Sequence, residues 1–167
     1  NEHLSSAGRA APGVELQIMD DKGKPAERGE VGEIWLRSRA ICLGYFGDPE
    51  QTASEFEDGF WKSGDMGRMD SEGFVYVVDR KKDMIISGGE NIYSVEVERA
   101  IDLHPAVRQC AVIGRPDEKW GEVVHAVISL EPQHSLTEQE LLEHCRQYIA
   151  GYKCPRGLSI WDALPLS

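Results

Sequence analysis

Two features within residues 79–93 could do chemistry together: a cluster of charges and a pair of glycines. The cluster is Asp79-Arg80-Lys81-Lys82-Asp83, and Gly88-Gly89 follows it in the same segment. Arginine and lysine supply fixed positive charge for phosphate or ribose oxygens. Two glycines permit positive φ and let a backbone approach a ligand with no Cβ in the way. By themselves, these residues indicate a charged pivot followed by an open-backbone turn.

The order of these residues is more specific than their types. Trp61-Lys62-Ser63-Gly64-Asp65 and the run from Asp83 to Tyr93 together resemble the adenylate-forming superfamily of acyl-CoA synthetases, peptide-synthetase adenylation domains and luciferases. The amino-acid sequence of the second run is most similar to that of fatty-acyl and related CoA ligases. Residues 6–19 resemble the segment after the family's Tyr-Gly-Thr-Glu loop, and Leu164-Pro165-Leu166-Ser167 resembles the start of its terminal motif. Ordered agreement over nearly the whole chain is a stronger signal than a lone glycine pattern.

The resemblance implies part of an ATP-dependent carboxylate–CoA ligase, which is an acid–thiol ligase. Such an enzyme uses ATP and Mg²⁺ to form an acyl-adenylate and pyrophosphate, and the thiol of coenzyme A then displaces AMP. The family's phosphate loop and acyl pocket would precede Asn1, and the lysine of its terminal Gly-Lys would follow Ser167. We therefore expect the 167 residues alone to lack ligase activity. Because the pocket lies elsewhere, they do not reveal the acyl substrate.

Three residues are candidates for nucleotide binding and domain movement. Asp65, next to a glycine, is typical of a turn aspartate that bonds its own backbone, but the resemblance implies a ribose-binding carboxylate. Arg80 by its type alone suggests a surface ion pair, and the resemblance implies a ribose contact. Lys82 occupies the family's hinge position, where a residue need only absorb a change in φ and ψ.

A second group of candidates would bind coenzyme A. The resemblance places the glycine turn along the pantetheine tunnel, a tryptophan against the nucleotide of coenzyme A, and two cations near its phosphates. Each also has an ordinary interpretation: a hairpin turn, core packing, or solvated surface charge. The residues are Ser87, Gly88, Gly89, Trp120, Lys153 and Arg156. No residue is predicted to bind a metal.

Composition limits the class of protein. A net charge of −11 argues against nucleic-acid binding through a broad basic surface, and 41% apolar residues describe a globular chain. We see no apolar run long enough for a membrane span and no secretory signal. The four cysteines lack paired metal-ligand spacing and suit reduced thiols, so we expect a cytoplasmic protein. Its expected partners are a carboxylic acid, ATP and coenzyme A, and the sequence leaves homo-oligomer formation open.

The pattern of elements changes along the chain. Residues 1–80 show short strands and turns, including alternating runs at 14–19 and 33–38, a short helix at 48–56 and a strand at 74–78. Residues 81–167 combine strands with helices that begin at Ser94 and at a Thr137–Glu140 capping box. The predicted fold class is α+β: a small antiparallel β subdomain, a hinge, and a compact α+β domain truncated before the terminal Gly-Lys.

The sequence alone is also compatible with other functions. A peptide-synthetase adenylation domain would use the same chemistry but pass the acyl group to a carrier-protein thiol. A luciferase-like oxygenase has no positive support in these residues. A non-catalytic binding module on the same fold is an alternative from a different class.

Overall fold

The computed structural model describes residues 3–165, and its contacts divide the chain into two compact units, Asn1–Lys82 and Asp83–Ser167. The division falls after Lys82, whereas the domain boundary expected from the family, after residue 80, stays a prediction. The last two residues of the expected terminal motif, Leu166 and Ser167, lie outside the described residues, as does Asn1.

The first unit is built on an antiparallel sheet, as predicted. Strand β4 is central: β2 pairs with one edge, while β3 and β5 share the other, and β1 pairs with β2. A short helix, α1, precedes β3, with the Asp48 side chain accepting a hydrogen bond from Gln51 N–H at its N-terminus. The elements are β1 (Glu15–Met19), β2 (Val31–Arg37), α1 (Pro49–Glu55), β3 (Phe56–Glu57), β4 (Phe60–Met69) and β5 (Val75–Arg80).

Both faces of this sheet bury side chains, because successive residues of a strand point to opposite sides. Each face carries a small cluster, and neighbouring residues of β1 and β2 contribute to different clusters. One cluster is Ile18, Ile34 and Val75, and the other is Met19, Trp35 and Phe60.

The second unit is α+β, as predicted, with helices packed on a mixed sheet. Strand β9 is central: β8 runs antiparallel along one edge, while β10 (parallel) and the end of β6 share the other. The elements are β6 (Ile85–Ser87), β7 (Glu90–Ile92), α2 (Ser94–Asp102), β8 (Val107–Asp117), β9 (Gly121–Leu130), α3 (Glu138–Cys145) and β10 (Leu158–Ile160).

A single core holds this unit together. It joins the apolar face of α2, with Val97 and Ile101, to Leu141 of α3 and to the inward residues Val124 and Ile128 of β9. These side chains are at most 1% exposed. No helix among residues 3–165 combines the length and apolar character needed to cross a bilayer.

The helix starts were predicted with mixed success. The Thr137–Glu140 capping box is confirmed, since each side chain bonds the other residue's backbone N–H. The prediction of Ser94 as an N-cap is wrong, because Tyr93 is the capping residue and Ser94 is already helical and buried.

Candidate functional site

The segment around Asp65 is a bulge within a strand rather than the turn that the sequence suggested. Glu33 pairs with Met66 and Trp35 pairs with Lys62, so residues 63–65 all lie opposite Ile34. Gly64 has φ +71°, which glycine adopts without strain. The Ser63 hydroxyl donates to Ile34 O (2.7 Å) and accepts from Asp65 N–H (3.1 Å). Bulges of this kind redirect side chains and often lie beside functional sites.

Strand pairing brings Asp65 and Arg80 together. They are register partners on β4 and β5, and Arg80 Nε lies 3.4 Å from Asp65 Oδ1. The Arg80 side chain is 65% exposed and that of Asp65 36% exposed. An exposed ion pair contributes little to stability, so both groups remain available to a ligand's hydroxyls.

A hollow of about 510 Å³ in the first unit is lined by Gly64 and Arg80, a size within the range of small-molecule sites. Three lysines also line it, so four of its lining side chains are cations. Lys62 is paired with Glu57 (2.7 Å), whereas Lys82 forms no ion pair among residues 3–165. The lining cations are Lys62, Arg80, Lys81 and Lys82. Glu33 and Glu55 line it as well, so the cations outnumber the carboxylates by four to two, and the excess positive charge suits an anionic ligand.

Glu33 is a residue of this hollow that the sequence did not single out. Its side chain is only 9% exposed, and its Oε2 accepts hydrogen bonds from Lys81 Nζ (2.9 Å) and Trp35 Nε1 (3.1 Å). The pair holds the residue that precedes the predicted hinge, Lys82, which lies in a 3₁₀ turn at Lys81–Asp83. In the sequence Glu33 has only the alternation of a strand, which gives no sign that its carboxylate is buried.

In the second unit, Gly88 and Gly89 form the two-residue turn between β6 and β7. Ser87 and Glu90 are register partners across it, and the two glycines have φ +61° and +86°. Positive φ at both central residues is characteristic of a type I′ hairpin turn. The pair therefore does form the hairpin of the ordinary interpretation, with both glycines exposed.

Two further predicted coenzyme A residues, Trp120 and Arg156, lie beside this turn. Gly88 N–H donates to Trp120 O (2.8 Å), and a Cβ on Gly88 would lie 2.8 Å from Trp120 Cε3. The indole also contacts two cations, with Arg156 Cζ 4.7 Å and Lys119 Nζ 4.8 Å from its ring. An aromatic face beside cations and bare backbone can stack on a base and bind phosphate oxygens.

Lys153 is arranged differently from the other candidates. Its Nζ lies 2.7 Å from both carboxylate oxygens of Glu96. Burial opposes its charge, but Glu96 more than offsets this and raises the pKa of Lys153 above its usual value. A phosphate would have to compete with that carboxylate for Lys153. Within residues 3–165, no group of three or more His, Cys, Asp or Glu side chains could hold a metal ion.

Comparisons with known protein families match two parts of the chain. Residues 1–46 match the AMP-binding enzyme family, and residues 96–167 match the AMP-binding enzyme C-terminal domain. The candidates from Asp65 to Gly89 lie between the two matches, whereas Trp120, Lys153 and Arg156 lie within the second.

Individual relatives belong to the same family of AMP-binding enzymes. A long-chain-fatty-acid–CoA ligase of Yersinia pestis is 42% identical over 99% of this chain, and a feruloyl-CoA synthase of Amycolatopsis is 43% identical over 98%. The chain spans 30% and 33% of the length of these relatives.

Solved structures give the same result. The o-succinylbenzoate CoA synthetase of Bacillus subtilis, in complex with its acyl-adenylate intermediate, has a TM-score of 0.89 and 41% identity. ATP-bound MatB of Rhodopseudomonas palustris has a TM-score of 0.90 and 37% identity. Both alignments cover 98% of this chain and 33% of the solved chain. This chain therefore belongs to the family of AMP-binding, adenylate-forming enzymes, among relatives that are acyl-CoA and aryl-CoA ligases.

Proposed function

We propose that this chain is the C-terminal part of an ATP-dependent carboxylate–CoA ligase. The observation that carries the proposal is the pairing of Asp65 with Arg80 beside the cation-lined hollow. A relative of the same family supports it: the o-succinylbenzoate CoA synthetase of Bacillus subtilis is solved with ATP and a magnesium ion, and also with its acyl-adenylate.

In the proposed reaction, a carboxylate oxygen attacks the α-phosphorus of ATP and pyrophosphate leaves. The thiolate of coenzyme A then attacks the acyl carbonyl, the C–O bond to AMP breaks, and AMP leaves with its electron pair. Mg²⁺ enters with ATP, whose phosphate charge it neutralises. Within this chain, the contribution is positioning and charge stabilisation.

Asp65 is proposed to hold the ribose. Its two carboxylate oxygens can accept hydrogen bonds from vicinal hydroxyls, and the bulge at Gly64 presents them at a half-exposed position. Arg80, across the strand pair, is proposed to contact the same ribose from β5.

Ser87, Gly88 and Gly89 are proposed to carry the pantetheine arm of coenzyme A along their backbone, with Trp120 and Arg156 against its nucleotide. Lys153 is the weakest candidate, since Glu96 already neutralises it. Lys82, the last residue of the first unit, is proposed as the hinge that lets the enzyme serve the two half-reactions in turn. A cytoplasmic location and the inactivity of the isolated chain also stay predictions.

Asp65→Ala in the full-length protein that carries this chain tests the proposal. We expect ATP–pyrophosphate exchange to fall by roughly 10- to 100-fold, because a lost hydrogen bond to a charged group costs about 1.5–3 kcal/mol. Asp20→Ala is the matched control: it removes a turn carboxylate that bonds the Lys22 and Lys24 N–H groups in the same unit. Unchanged exchange in Asp65→Ala would remove this residue from the nucleotide site.

A further inference from the structure

The β6 strand, which leads into the glycine turn, makes very little backbone pairing with β9. It is three residues long, and Ser87↔Gly121 is its one register pair with β9. In a two-residue hairpin Ser87 and Glu90 close the turn, so the N–H of Ile86 points away from β7. That N–H needs an acceptor from another direction.

A side chain supplies the acceptor. Glu122, the second residue of β9, receives the Ile86 N–H on its Oε2 at 2.8 Å. Together with the bond from Gly88 N–H to Trp120 O, this contact fixes both sides of Ser87 to the start of β9. A carboxylate thus takes the place of a ladder hydrogen bond immediately before the turn.

The path of the Glu122 side chain depends on Gly114 in β8. A Cβ on Gly114 would lie 2.9 Å from Glu122 Oε1 and 3.1 Å from its Cδ. Gly114 does not have the positive φ that favours glycine, so its small size matters here for space rather than for conformation. Glycine at this position leaves the room through which the carboxylate reaches Ile86.

A surface glutamate in a strand often pairs with a cation on a neighbouring strand. Among residues 3–165 Glu122 forms no ion pair, and its carboxylate accepts a hydrogen bond from Ile86 N–H. A charge-assisted bond to a backbone N–H is stronger than a neutral one. Glu122 therefore acts on the backbone of β6.

We infer that Glu122 is a positioning residue for the glycine turn: its carboxylate, admitted by Gly114, holds β6 so that Gly88 and Gly89 present their backbone to the thiol arm of coenzyme A. The inference rests on the proposed function of that turn. Glu122 touches no reacting atom, and acyl-adenylate formation does not need it. Its loss affects the second half-reaction.

The kinetic experiment uses the full-length protein. We expect Glu122→Ala to raise the KM for coenzyme A about tenfold, the effect of one lost charge-assisted hydrogen bond, while the rate of ATP–pyrophosphate exchange stays within about twofold. Glu122→Gln should restore most of the loss, because its amide oxygen can still accept from Ile86 N–H. Gly114→Ala should reproduce the effect with the carboxylate present but displaced.

Gly151→Ala is the matched control, since Gly151 has ordinary backbone geometry and nothing within 4 Å of an added Cβ. Amide hydrogen exchange gives a readout that does not depend on activity. We expect Ile86 N–H to exchange about tenfold faster in Glu122→Ala and in Gly114→Ala, but not in Gly151→Ala.

The outcomes separate the two proposals. A wild-type KM for coenzyme A and unchanged Ile86 exchange in Glu122→Ala would overturn the positioning role. An equal fall in both half-reactions, unrelieved by glutamine, would also overturn it, because it would mean a general structural defect. If the wild-type protein forms no acyl-CoA, the proposed function fails, and Ile86 exchange still decides whether Glu122 holds β6.

Discussion

The two units present their candidate residues in opposite ways. In the first unit the groups are charged side chains, Asp65 and Arg80, aimed from adjacent strands. In the second they are backbone at Gly88 and Gly89 and the ring of Trp120. Side chains on paired strands are positioned by register, whereas bare backbone is positioned by whatever holds the turn. A substitution at the first site removes a chemical group, whereas one at the second changes the shape of the glycine turn.

The units also differ in how they are stabilised. The first has two small clusters of three buried residues on opposite faces of its sheet, and the second has one core of twelve. Burial supplies most folding free energy, so the second unit should carry more stability per residue.

The largest expected effect tests this difference in packing. Leu141→Ala, in the core of the second unit, should reduce the free energy of unfolding by about 2–5 kcal/mol because it leaves a cavity. Leu36→Ala, at a half-buried site in the first unit, should cost only about 1 kcal/mol. Urea unfolding followed by circular dichroism measures both. A loss at Leu36 as large as that at Leu141 would contradict this expectation.

The next effect concerns the glycine turn. Gly88→Ala should slow thioester formation by at least about tenfold, because an L residue at φ +61° costs roughly 1–2 kcal/mol and its Cβ would also displace Trp120. Gly89→Ala has the same kind of backbone penalty at φ +86° but nothing within 4 Å of its Cβ. Single-turnover thioester assays should therefore show Gly88→Ala as the slower variant, and the reverse order would count against the Trp120 contact.

A substitution at the proposed hinge, Lys82, should have a smaller effect on thioester formation. Lys82→Pro should slow thioester formation several-fold and spare adenylation, because proline fixes φ and stiffens the junction. Lys81→Pro is not a matched control, since it also breaks the ion pair to Glu33. Lys82→Ala is the matched control, because it removes the ammonium group and leaves the backbone free to rotate. Comparable losses of both half-reactions in Lys82→Pro would contradict the hinge assignment.

The smallest expected effect is a difference in pH dependence. Burial lowers the pKa of His104 and of His125, both in the second unit, and the neighbouring His144 lowers that of His104 further. An unfolded histidine, with a pKa near 6.5, takes up a proton that the folded one resists. The second unit should thus lose stability as pH falls below about 6.5.

In the first unit the perturbed group that titrates on the acid side is a carboxyl. Burial opposes ionisation of Asp70, but backbone N–H groups and the Tyr76 hydroxyl donate to it and lower its pKa. Its contribution is lost only as pH falls below about 4. Urea midpoints at pH 7.5 and 5.5 should therefore shift for the second unit alone, and His104→Asn should reduce that shift. An equal shift in the first unit would contradict this assignment.

Much of the fold could be predicted because local signals and tertiary packing agree. The alternating residues of β1 and β2 form strands, the Thr137–Glu140 box starts α3, and Gly88-Gly89 makes a turn. Ser94 is not the N-cap because Tyr93 takes that position and Ser94, which is buried, is already the first residue of α2. The whole of β4 was missed, since its central Ser63-Gly64-Asp65 has turn chemistry that the sheet accommodates as a bulge.

Residue types and their order, by themselves, indicated the family, the proposed class of chemistry and the candidates Asp65, Arg80 and Gly88, because those signals are local or contiguous. Only the tertiary structure decided that Asp65, in a bulge of β4, pairs with Arg80, that Glu33 is buried against Lys81, and that Glu122 reaches Ile86 past Gly114. Each of these contacts joins residues far apart in the chain. Strand register and burial create them, and neither is written in any one segment.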